Sequence, residues 1–167
     1  EWRHAVQVYA LKHGAAKTLI NIFGEHIYGI LLAAYIPRWF LEGDAVVAET
    51  ALTPTGREKT PDFNMYFKAQ TLEKGAYNYD KALLGSMKDY VPDSYIFGYH
   101  LASFGRELYG KDIWTYMLEN VGRNFWKIQT FGHSQKKGFN IKTKELYNQM
   151  MDTLSKRWEE EDRKNIE

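Results

Sequence analysis

The 167-residue sequence contains no cysteine. That excludes disulfide frameworks, thiolate zinc sites and cysteine nucleophiles, while leaving the compartment open. Proline is scarce at four residues, two of which fall within the stretch 53–62. Alternating strand patterns are nearly absent, so the expected class is mainly α. Neither charge dominates: 22 Lys and Arg against 21 Asp and Glu leave a net charge of +1. So even a balance gives no electrostatic case for nucleic acid or an anionic membrane as partner. The longest uncharged run, between Glu25 and Arg38, is shorter than the roughly 20 apolar residues of a membrane span. No transmembrane segment is expected in this chain.

Aromatic residues, by contrast, are abundant: 12 Tyr, 9 Phe and 5 Trp. Such a supply suits a core with polar-tipped edges or an aromatic-lined pocket. The length suits a single helical domain over 1–167. Glu1 falls inside an amphipathic pattern and residues 158–167 are charged and unfinished. The domain is therefore expected to belong to a longer polypeptide.

Helical spacing predicts a first helix over 1–13 with Gly14 as its stop. Residues 17–36 read as one broken helix or two short ones, buried on most sides. Pro37 opens a helix running to Thr53, and residues 53–63 read as a loop. Further helices are expected over 63–73, 80–87, 94–109 (started by Pro92-Asp93-Ser94, stopped by Gly110) and 111–122. Residues 132–140, GHSQKKGFN, read as a basic loop, with Lys136 and Lys137 as solvated residues. Thr143 is expected to cap a last helix to about Arg163, with Leu146, Met150 and Leu154 as core and WEEEDRK as a solvated end.

Two segments carry possible chemistry. One is Glu1-Trp-Arg-His4; the other is Trp39-Phe40-Leu41-Glu42-Gly43-Asp44-Ala45-Val46-Val47-Ala48-Glu49. In HExxH zinc peptidases two histidines four apart share one helix face and chelate one zinc, with the Glu between them reaching the attacking water. A His directly before Glu1 would complete HEWRH. The second segment is similar to the W-L-x-E-G-x-A-x-x-x-E run that carries the third zinc ligand in gluzincin metallopeptidases, the clan of thermolysin and the aminopeptidase N-like enzymes. Tyr95-Ile-Phe-Gly98 resembles the Tyr-x-x-Gly helix start of the aminopeptidase N-like members. The segments around Glu42 and Arg57 also look like gluzincin-like regions of secreted bacterial proteins.

The resemblance covers about residues 1–110. It implies the helical half of a thermolysin-like catalytic domain, with a β-rich subdomain upstream in the same polypeptide. Residues 1–52 would supply the metal-site helices, 53–63 a loop and 64–167 the remaining helices. It implies zinc as cofactor, a peptide or protein as substrate, and peptide-bond hydrolysis by a metal-activated water. The ligands would be the preceding His, His4 and Glu42. Glu1 would be the general base and Tyr95 the oxyanion donor, with Tyr99 competing for that place. Glu49 would hold a ligand histidine from behind. Arg57, Tyr99 and His100 are candidates for contact with substrate, and Lys59 shares the loop of Arg57. The spacing from His4 to Glu42 exceeds that usual in the clan, so residues 14–36 are expected as an inserted helical hairpin. An exported location, periplasmic, cell-surface or secreted, follows from the resemblance.

Two other readings stand beside this one. The first is a catalytically inactive gluzincin-like scaffold or binding module within a larger cell-envelope protein. The second is a generic helical partner-binding domain, which leaves the W-F-L-E-G-D-A-x-x-x-E run unexplained. His26, next to Glu25, lacks chelating spacing and reads as a packed or capping residue.

Overall fold

The computed structural model describes residues 2–24, 26–127 and 130–166. Among them the chain is mainly helical, with no strand. The helices are α1 (Trp2–Leu11), α2 (Gly14–Phe23), α3 (His26–Tyr35), α4 (Arg38–Leu52), α5 (Pro61–Lys74), α6 (Tyr79–Leu84), α7 (Ser94–Tyr109), α8 (Ile113–Arg123), α9 (Thr130–Phe139) and α10 (Thr143–Ile166). A 3₁₀ turn, Arg57–Lys59, joins α4 to α5. No helix among the described residues is long and apolar enough to cross a membrane.

The fold is organised on the crossing of α4 and α7. α1 packs on α4 and α8, α9 on α8, and α10 against α5, α6 and α7. The sequence explains why α7 stands where it does. The Asp93 carboxylate accepts hydrogen bonds from the backbone N–H groups of Tyr95 and Ile96, both at 2.9 Å. This satisfies two of the donors that every helix start leaves free. At the other end Gly110, at φ 89°, closes the helix by donating to the Arg106 carbonyl.

Gly43 of α4 and Gly98 of α7 meet backbone to backbone. A Cβ on Gly98 would overlap the Trp39 carbonyl oxygen, and one on Gly43 would overlap the Gly98 backbone. Only glycine at both places lets the helix axes approach this closely. Beside this contact lies the aromatic core. Trp39 meets Phe97, Trp114 and Phe131 edge-on at 5.9–6.2 Å between ring centroids. The buried Trp114 indole donates to the Ala102 carbonyl at 2.9 Å.

Several sequence expectations are corrected. Gly14 does not merely stop α1; at φ +53° it opens α2, with its α-carbon side against Arg123. Residues 14–35 form two helices packed on each other, but they are not buried on most sides. Ala16, Ile20 and Leu31 are buried, whereas Ile22, Phe23 and Ile30 are exposed. Apolar composition did not identify a buried face, because only one side meets α8. His26 is not packed; it is exposed in the first turn of α3. The loop ends sooner than expected, since α5 begins at Pro61. Residues 132–139 are not a loop but most of α9, held by the burial of Phe131, Ser134 and Gln135. Lys136 and Lys137 are solvated, but on that helix. Thr143 is the first residue of α10 rather than the residue before it, and its hydroxyl donates to Gln135 Oε1 at 2.7 Å.

The crossing makes a prediction. Gly98→Ala, measured by urea denaturation, should lose on the order of 3 kcal/mol or fail to fold, as overpacking against rigid backbone does. Gly29→Ala, where an added Cβ meets nothing within 4 Å, should instead be neutral or gain up to about 1 kcal/mol from helix propensity. Equal effects at the two positions would remove the crossing as the constraint.

Candidate functional site

The glycine crossing brings the Glu42 turn beside the N-terminal turn of α7, and α1, packed on α4, adds the remaining wall. A cavity of about 550 Å³ opens there. Its polar lining includes His4 from α1, Glu42 and Glu49 from α4, Arg57 from the 3₁₀ turn and Tyr95 from α7. Its apolar wall includes Trp2, Val6 and Leu52, all exposed.

His4 Nε2 lies 3.8 Å from Glu42 Oε2. That is beyond hydrogen-bond length, so the two atoms face each other without a bond between them. The other ring nitrogen, Nδ1, is 2.9 Å from Gln7 Oε1. Glu49 is engaged elsewhere than its sequence position suggested. Its Oε2 accepts from Arg57 Nε at 2.9 Å and Nη2 at 2.8 Å, while His4 takes its support from Gln7. The Arg57 guanidinium also sits 5.0 Å from the centroid of the Tyr95 ring, a cation–π contact that joins the loop to α7. Lys59 does not line this cavity; its ammonium donates to the Thr53 carbonyl at 2.7 Å.

Tyr99 and His100 lie outside this cavity. They line a separate one of about 300 Å³ with Asn64, Arg157 and Trp158, because beyond Gly98 α7 faces α5 and α10. Tyr99 meets Phe63 edge-on at 5.6 Å. Burial and the charge of Glu58 push its phenol up to about 12, so it stays protonated. His100 packs against Phe67 and Trp158, and its Nε2 donates to Asn64 Oδ1 at 2.7 Å. Glu1 falls outside the described residues. Among the described residues no group of three or more His, Asp and Glu could hold one metal ion. His4 and Glu42 are the pair brought together.

Sequence reasoning missed the charge cluster beneath this pair. Asp44 is fully buried. Its Oδ2 accepts from Arg3 Nε at 2.6 Å and from Gln7 Nε2 at 2.8 Å, and its Oδ1 from Arg3 Nη2 at 3.2 Å and from Arg106 Nη2. Burial alone would raise its pKa. The hydrogen bond from Arg3, the charges of Arg106 and Arg3, and the bond from Gln7 outweigh burial, so it lies below 3.8. The one legible signal was an Asp between Gly43 and the apolar run 45–48, since a carboxylate buried there must find cations. Its partners on α1 and α7 were not legible.

No protein-family model, no curated protein and no solved structure matches this chain.

Two expectations follow. Asp44→Ala leaves two guanidinium groups uncompensated in a partly buried setting. It should cost about 3 kcal/mol in chemical denaturation; a loss below about 1 kcal/mol would mean that solvent replaces the carboxylate. For His100, burial and then the charge of Arg157 push the pKa down to about 4, against roughly 6.5 unfolded. A lowered histidine pKa means that the unfolded chain binds the proton more readily. The stabilisation is complete above about pH 6.5 and is lost as pH falls towards 4, on the order of 3 kcal/mol in all. His100→Gln should flatten that part of the stability–pH curve, and an unchanged slope would contradict it.

Proposed function

We propose that this chain is the helical half of a gluzincin-like zinc metallopeptidase that hydrolyses peptide bonds. The observation that carries the reading is the approach of His4 Nε2 and Glu42 Oε2 to 3.8 Å, from helices far apart in sequence and with no bond between them. Two ligand atoms, each about 2.0–2.2 Å from one tetrahedral zinc, lie roughly 3.4 Å apart. The pair needs to close by only a few tenths of an ångström. The donor types suit zinc as well: one imidazole nitrogen and one carboxylate oxygen, with a histidine preceding Glu1 expected as the third ligand.

Bound zinc supplies Lewis acidity and a hydrolytic nucleophile at neutral pH. The chain's own groups do the rest. Glu1 takes a proton from the attacking water and passes it to the leaving amine. The Tyr95 hydroxyl donates to the oxygen on which negative charge develops, aided by the N-terminal dipole of α7, in whose first turn it sits. Arg57, held by Glu49 and lying against the Tyr95 ring, keeps that tyrosine in place and offers spare donors to a substrate carbonyl or carboxylate. Trp2, Val6 and Leu52 give the substrate's apolar side chains a surface to bind.

The test is zinc content and peptide hydrolysis of the full-length protein and its variants. His4→Ala and Glu42→Ala should each lose zinc. Glu1→Gln should keep zinc and lose nearly all turnover. Tyr95→Phe should keep zinc and lose about 10²–10³ in kcat, while Tyr99→Phe loses much less. Zinc retained in His4→Ala would defeat the ligand assignment. Zinc bound without hydrolysis of any peptide would favour the inactive scaffold.

A further inference from the structure

The hydrogen bonds around His4 run in one direction only. Asp44, buried and paired with Arg3 and Arg106, is ionised and can only accept. The Gln7 atom 2.8 Å from Asp44 Oδ2 is therefore the amide nitrogen, and it also donates to the Leu41 carbonyl at 3.2 Å. Those two bonds use both protons of the NH₂ group. The amide cannot turn over without placing its oxygen against a carboxylate and a carbonyl. Gln7 is 1% exposed, so no water relieves it. Its Oε1 is left facing His4 Nδ1 at 2.9 Å, and an acceptor there requires the imidazole proton on Nδ1.

We infer that Gln7, locked by the buried Arg3–Asp44–Arg106 cluster, fixes neutral His4 as the Nδ1–H tautomer and so presents Nε2 as a free electron-pair donor towards Glu42. This is the minor tautomer of an unconstrained histidine. It also accounts for the 3.8 Å gap: a lone pair and a carboxylate oxygen face each other, and a cation shared between them relieves the repulsion. Gln7 is a positioning residue in this scheme and touches no reacting atom. The functional meaning rests on the metallopeptidase reading, whereas the tautomer rests on the hydrogen bonds alone.

The experiment is long-range ¹H–¹⁵N correlation on the ¹⁵N-labelled, metal-free full chain, which reads which ring nitrogen of His4 carries the proton. The wild-type chain should carry the His4 proton on Nδ1, with an unprotonated Nε2. Gln7→Met, similar in shape but without the acceptor, should move the proton mainly to Nε2 and weaken zinc binding by about 10–100-fold. A wild-type proton on Nε2, or an Nδ1 proton that survives Gln7→Met, overturns the inference. Should Gln7→Met not fold, scalar coupling from the Nδ1 proton to the Gln7 side-chain carbonyl in the wild-type chain supports it, and a proton on Nε2 overturns it. The two proposals fail separately. An Nδ1–H tautomer in a chain with no affinity for zinc supports the relay and defeats the hydrolase reading. Zinc bound by a chain whose metal-free His4 is Nε2–H defeats the relay and leaves the hydrolase reading standing.

Discussion

The contact of Gly43 with Gly98 sets the distance between the two helices on which everything else is hung. Helix axes usually stand 8–10 Å apart because side chains separate them. Removing both Cβ atoms lets α4 and α7 touch through their backbones. Trp39, one turn before Gly43, then enters the aromatic core beside Phe97, which immediately precedes Gly98. Glu42, adjacent to Gly43, is brought to the same side as Tyr95, which lies one turn before Gly98. The site and the core are thus two faces of one contact.

The second constraint is electrostatic. A buried carboxylate is costly unless its oxygens are fully engaged. Asp44 meets that condition by drawing Arg3 from α1, Arg106 from α7 and the Gln7 amide to one point. Such a cluster adds less net stability than its short bonds suggest, since desolvation offsets much of the attraction. What it adds is register. α1 cannot slide or rotate on α4 without stranding a charge, and so the face bearing His4 is fixed relative to Glu42.

The parts of this structure written in local sequence were legible. Asp93 and Gly110 bounded α7 correctly, and a helix was expected over 111–122, where α8 runs from Ile113 to Arg123. α9 was illegible because GHSQKKGFN has loop composition, and its helix depends on burying Phe131 and Gln135 against neighbours distant in sequence. In the site, Glu42 and His4 were singled out by the gluzincin resemblance. The roles of Gln7 and Asp44 did not, since each depends on a partner that only the tertiary fold brings near. Glu49 is the instructive case: the resemblance made it the support of a ligand histidine, yet the loop that folds back through Gly56 supplied Arg57 as its partner.

A contact point between two rods is also a fulcrum. When α7 rocks on α4, each atom moves in proportion to its distance from Gly98, and helical rise makes that distance easy to read. Glu42 is one residue from the pivot, about 1.5 Å along its axis, and Tyr95 is three residues away, about 4.5 Å. A tilt that carries the far end of α7 at Tyr109 through almost 3 Å moves the backbone of the Tyr95 turn by under about 1 Å. Glu42 and Tyr95 both lie close to the pivot, where leverage is least.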